Sequence, residues 1–246
     1  MMNIQNRSLL VKSIVKSVTV LIMAMLLPLA TVTNHDDGFE ARLISVEENK
    51  HRTMMEKRKK QERRAKALKL DKILTILKKY KTGLKKEIQA ELVELIYQES
   101  LAYNYEPELI LALVAKESSF YNWSKSRKGA LGLMQILPTT GAAIAQAINI
   151  PWDGKQTLFD PHTNIKLGTH YLSKLHKRFG QLEVALTAYN YGPARVSRMQ
   201  TQGVQLPKKY ATRILNTYEQ FMRINTTETG SSDENGADAP KSPFRI

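Results

Sequence analysis

The chain contains no cysteine, which excludes disulfides, thiolate metal sites and thiol nucleophiles. Histidine is scarce as well: the five, at positions 35, 51, 162, 170 and 176, show no metal-ligand spacing. His170 and His176 would even lie on different faces of a helix. No metal or other cofactor is expected. Aromatic residues make up 7% of the sequence, and neither they nor any recognition motif accompany the basic residues, so nucleic acid is not an expected partner. Alternating apolar and polar runs of useful length are also missing, which leaves little room for β-strands.

Acidic residues are outnumbered 23 to 37 by lysine and arginine. The imbalance is local. Residues 50–86 hold 16 basic and 3 acidic side chains, and the rest of the chain is nearly neutral. Ahead of that segment, Arg7, Lys12 and Lys16 precede an uncharged run of 18 residues from Ser17 to Asn34. Positive charge before an apolar run reads either as a secretory signal or as an N-terminal membrane anchor. Both readings carry residues beyond 35 to the far side of a bacterial membrane, into the periplasm or onto its outer face.

The sequence divides into four parts. Residues 1–35 form the signal or anchor, and residues 36–86 a linker (36–49, acidic and loosely patterned) and a basic helical stalk. Residues 87–225 form an orderly helical domain, and residues 226–246 a polar tail rich in Gly and Ser. The stalk is either a solvated helix or an electrostatic tether to an anionic membrane surface or another cell-envelope assembly. Within the domain, Ile88, Leu92, Leu95 and Ile96 share a helical face that runs to about Tyr103. Pro107 opens the next helix near Glu106. Asp160–Pro161 repeats that start signal for a helix over 161–179 with Gly180 as its stop. A short helix spans Leu182 to Tyr189, ended by Gly192–Pro193, and Pro207 starts a last one with Ile214, Tyr218, Phe221 and Met222 facing inward. The expected fold class is all-α.

One acid stands apart. In "PELILALVAKESSF", Glu117 follows Ile110, Leu113 and Val114 at spacings that place it on their apolar stripe. Apolar surroundings raise a carboxyl pKa, and a carboxyl protonated near neutrality suits a general acid, such as one that protonates the leaving oxygen of a sugar bond. A surface glutamate late in a helix is the ordinary alternative. Beyond it, Gly129 and Gly132 flank "GALGLMQ", where a tight loop can approach a ligand, and Pro138 stops it. Gln135 sits among apolar neighbours and needs a partner if buried. "TAYNYGP" sets Tyr189 and Asn190 at a helix end.

Together, "ESSF", "SKSRKGALGLMQILPTT", "LFDPHTNIKLGTHYLSKL", "FGQLEVALTAYNYGP" and "PKKYATRILNTYEQF" resemble the soluble-lytic-transglycosylase family of peptidoglycan-cleaving enzymes, over residues 115–224 and in the family's order. The resemblance implies a lysozyme-like helical domain acting on peptidoglycan glycan strands. It also implies that Glu117 is the single catalytic acid/base and that Ser126 hydrogen-bonds near it. Met134 and Gln135, in "GLMQ", would face the substrate groove, Tyr189 and Asn190 would lie beside the carboxyl, and Tyr210 would lie near the same site. Two departures stand out: "YNWS" replaces a common Asn-Pro, and Tyr191 replaces the usual alanine of "YNAGP".

A single acid is sufficient if the substrate supplies its own nucleophile. Neither Asp153 nor Asp160 is placed for a second catalytic carboxylate. The implied chemistry is cleavage of the MurNAc–GlcNAc β-1,4 bond with formation of a 1,6-anhydromuramyl end. A muramidase that uses water, and a wall-binding protein without activity, are the alternatives.

Overall fold

The computed structural model describes residues 37–224. The apolar run 17–34 and the polar tail lie outside the described residues. The described chain is all-α: α1 (Asp37–Leu77), α2 (Lys86–Tyr103), α3 (Pro107–Ser118), α4 (Pro138–Ala147), a 3-10 turn (Lys155–Phe159), α5 (Pro161–Phe179), α6 (Leu182–Tyr191), α7 (Pro193–Thr201) and α8 (Lys209–Met222). No strand occurs among the described residues, only isolated bridges that pair Leu131 with Lys125 and Ile136. None of the described helices is long and apolar enough to cross a membrane.

The chain divides into two units within α1, after Lys57. In the first, Val46, Met54 and Met55 are exposed along the helix. Residues 36–49, expected as a loose linker, are helical from Asp37 onward. The second unit carries the core, and α3 is its central element. Every residue from Pro107 to Val114 is buried, so this helix is enclosed on all sides rather than along one stripe. Helices α2 and α8 pack against α3, and α5 against α2 and α6.

The end of the expected stalk belongs to this core. Ile73, Ile76 and Leu77 are at most 1% exposed. Their burial is supported by charge. Lys72 Nζ lies 2.8 Å from Glu108 Oε1 and donates to the Met222 carbonyl at 2.9 Å, and Lys69 Nζ donates to Glu106 Oε2 at 2.5 Å. Glu108 is itself 1% exposed in the first turn of α3, where the helix dipole favours a negative charge and Lys72 compensates its burial.

Helix α5 matches the expected boundaries. Asp160 Oδ1 accepts from the Thr163 N–H at 2.7 Å as the N-cap, and Gly180 closes the helix in the left-handed region. Helices α4 and α7 were not expected, because Pro138 and Pro193 read as stops. Each occupies the first turn of a new helix, where a missing N–H costs nothing. The last helix begins two residues later than expected, at Lys209, and Met222 at its end is 41% exposed rather than inward.

Candidate active site

Glu117 is the penultimate residue of α3. The enclosed helix delivers its side chain, partly buried, to a crossing point of α6, α8 and the loop 121–137. Loss of water at this point pushes the carboxyl up from its ordinary value to about 7, against the opposing pull of the Tyr210 hydroxyl and of Lys116. The carbonyl end of α3 acts in the same upward direction. Tyr210 Oη, from α8, donates a hydrogen bond to Glu117 Oε1, which leaves Oε2 to carry the proton. Tyr189, from α6, donates to the Met134 carbonyl at 2.9 Å, and its hydroxyl is held far from ionisation by burial and by the nearby Glu117. Burial and Glu117 act on the Tyr210 hydroxyl in the same way. Both phenols therefore remain neutral donors beside the acid.

The turn after Glu117 is unusual. Ser119 and Phe120 both adopt the left-handed region, as does Gln135. Three of the five non-glycine residues with positive φ among the described residues thus fall in the two segments that flank one carboxyl, each in a conformation that only its surroundings can hold. Phe120 is buried 4.5 Å from the ring of Tyr80. Ser118 Oγ donates to the Leu133 carbonyl at 2.7 Å and so ties the end of α3 to the loop.

That loop is held from below by Asn164 of α5, which is fully buried. Its Oδ1 accepts from the Met134 N–H at 2.7 Å, and its Nδ2 donates to the carbonyls of Leu131 (3.0 Å) and Leu158 (2.8 Å). Gly132 is required by this approach. Its φ is +78°, and a Cβ there would lie 2.3 Å from both Asn164 Nδ2 and the Leu158 carbonyl oxygen.

The expected site residues separate into two groups. Glu117, Tyr189 and Tyr210 converge. Gln135 finds its partners within the loop, where Nε2 donates to the carbonyls of Gly132 (2.9 Å) and Ser124 (3.1 Å). Asn190 is exposed at the end of α6. Ser126 Oγ accepts from the Ala130 N–H at 3.0 Å and closes a local turn. The Met134 side chain is 0% exposed and packs against Gly168 and Thr169 of α5, so its part is structural and its carbonyl, not its thioether, serves the site. Asn164, Ser118 and Tyr171, whose ring lies 5.2 Å from that of Tyr189, were not anticipated. Only an inward helical position marked Asn164 in the sequence, and nothing marked its partners. A groove of 620 Å³ between α2 and the second half of α1 contains none of these residues.

The chain is similar in sequence to named proteins. Residues 94–211 match the family model of the transglycosylase SLT domain. The chain is 41% identical over 88 residues to a soluble lytic murein transglycosylase of Salmonella typhimurium, a match covering 35% of this chain and 14% of that protein. It is 35% identical over 132 residues to the membrane-bound lytic murein transglycosylase C of Photorhabdus laumondii, covering 50% and 36% respectively. The crystal structure of the 70 kDa soluble lytic transglycosylase from Escherichia coli aligns over 55% of this chain and 25% of its own, with 27% identity and a TM-score of 0.48. The match thus spans about a seventh of the soluble relative and about a third of the membrane-bound one.

Proposed function

We propose that this chain, which carries a transglycosylase SLT domain over residues 94–211, is a peptidoglycan lytic transglycosylase whose sole acid/base is Glu117. The observation that carries the reading is a carboxyl with a pKa near 7, hydrogen-bonded by Tyr210 on one oxygen. In the reaction, Glu117 gives its proton to the glycosidic oxygen as the bond to the muramyl C1 breaks. The N-acetyl oxygen of the same sugar supports the developing positive charge. The 6-hydroxyl then attacks C1 and returns its proton to the Glu117 carboxylate. Atoms balance without water, and the product is a 1,6-anhydromuramyl end. Asn190 and Gln135 are assigned by the same reading to the binding of the glycan. A muramidase on the same scaffold would differ only in the nucleophile. Mass spectrometry of digested sacculi separates the two, because hydrolysis adds about 18 mass units per cut and ring closure adds none. Products heavier by one water would replace this reading with hydrolysis.

The same proposal places the enzyme outside the cytoplasm, with the basic face of α1 held electrostatically on an anionic membrane surface. Lys57, Lys59, Lys60, Arg63 and Arg64 are all exposed. Replacing the five with Gln should weaken binding to phosphatidylglycerol-containing vesicles at least tenfold at low salt, since each basic residue near such a surface contributes about 1 kcal/mol. Wild-type binding that ignores ionic strength would remove the tether.

A further inference from the structure

The loop that carries Gln135 also builds a second concavity. A groove of 470 Å³ is lined by Lys125, Lys128, Lys155, Leu137, Thr139 and Phe159, among others, and no carboxylate lines it. Its three lysines come from two separate segments, the loop and the 3-10 turn, and all are exposed. None of them forms an ion pair among the described residues. Lys125 Nζ sits 5.4 Å from the centre of the Phe159 ring, which packs in turn against the exposed Trp123 at 5.4 Å. Three like charges converging on one hollow repel each other and destabilise the apo protein slightly. No acid in the groove offsets that cost, so the arrangement suits a ligand that brings the negative charge.

We propose that this groove is an anion subsite that takes a side-chain or terminal carboxylate of the peptides borne by the glycan. The inference rests on the reading of Glu117 given above. The choice of a carboxylate over a phosphate comes from position. The loop that gives Lys125, Lys128, Leu131 and Leu137 to this hollow also carries Leu133 and Met134, whose carbonyls accept from Ser118 and Tyr189 beside Glu117, so a group held here is within reach of the polymer on which Glu117 would act. Phe159 and Leu137 provide an apolar wall for the aliphatic part of a peptide, which a bare phosphodiester would leave uncovered. Compact ammonium groups on flexible stems fit a carboxylate whose position varies along an irregular polymer.

The test compares sacculi with free carboxyl groups and sacculi whose carboxyls have been converted to amides, scoring both cosedimentation and cleavage. The wild type should bind and cleave the free-carboxyl form about tenfold better at low salt, from the sum of several exposed ion pairs. In Lys125→Ala/Lys128→Ala/Lys155→Ala that preference should shrink to about twofold or less. A control that removes the same charge elsewhere, Lys86→Ala/Lys174→Ala/Lys177→Ala, should retain it. A wild type without preference, a triple variant as discriminating as wild type, or a control that loses the preference equally would each overturn the subsite. Undiminished binding to amidated sacculi points to phosphate-bearing polymers and also overturns it. Preferential binding without cleavage would leave the subsite standing and refute the catalytic reading.

Discussion

Glu117→Gln should reduce cleavage of peptidoglycan by about a thousandfold or more while leaving the fold intact. General acid catalysis alone is worth roughly two to four orders of magnitude, and here the same group must also act as base, so both halves of the reaction are lost. Gln keeps the shape and still accepts from Tyr210, but has no proton to transfer. The pH dependence comes from the same carboxyl. The acid form is required, so the rate should fall as pH rises through about 7. Stability supplies a check independent of turnover. The folded-state pKa is raised above the unfolded value, so the wild type is relieved of the burial cost below about 4.5 and bears it fully above about 7. The variant has no ionised form. Its melting temperature should therefore gain on wild type as pH rises from 5 to 8. A Glu117→Gln enzyme that still cleaves, or a difference in melting temperature that does not change with pH, would show that the carboxyl is neither catalytic nor desolvated.

The same residue shows how far the sequence could be read. Its spacing from Ile110, Leu113 and Val114 was sufficient to place Glu117 against hydrocarbon, because a helix of known period fixes relative direction. Spacing could not supply Tyr210, which reaches the acid from 93 positions away. Resemblance to a family supplied it instead. Resemblance was weaker at separating a side chain from a backbone: Met134 entered as a groove residue, and its enclosed thioether now shows that the carbonyl alone faces Tyr189. Proline was ambiguous for a related reason. The same residue can end one helix or open the next, and "TTGAAIAQA" has too little polar contrast to announce the helix after Pro138. In α1, the spacing of Ile73, Ile76 and Leu77 indicates a helix but not that it is buried. Ile73, Ile76 and Leu77 lie among lysines whose long stems and partners, Glu106 and Glu108, come from a distant part of the chain.

The residue least visible in the sequence carries the second large effect. Asn164→Leu should lower the melting temperature by about 4 °C or more and reduce activity with it. Asn164 satisfies three buried backbone groups at once, the Met134 N–H and the carbonyls of Leu131 and Leu158. Leucine is nearly isosteric and removes all three bonds while leaving their partners in place. The Leu131 carbonyl keeps the Ile136 N–H at 3.1 Å, so two groups are orphaned, and at about 1–3 kcal/mol each the sum is about 2 kcal/mol or more. For a chain of this size each kcal/mol shifts the transition by about 2–4 °C. Activity should suffer beyond the change in folded fraction, because Leu131 and Met134 belong to the loop that presents Gln135 and anchors the Tyr189 hydroxyl. Asn164→Asp discriminates between shape and bonding. It keeps the acceptor for Met134 N–H but aims a carboxylate at two carbonyl oxygens, so it should be no better tolerated than leucine. Differential scanning calorimetry with turnover at a temperature where both variants are folded decides the matter. A leucine variant that melts with wild type would mean that the loop is held by its own turns, with Asn164 a passenger beneath it.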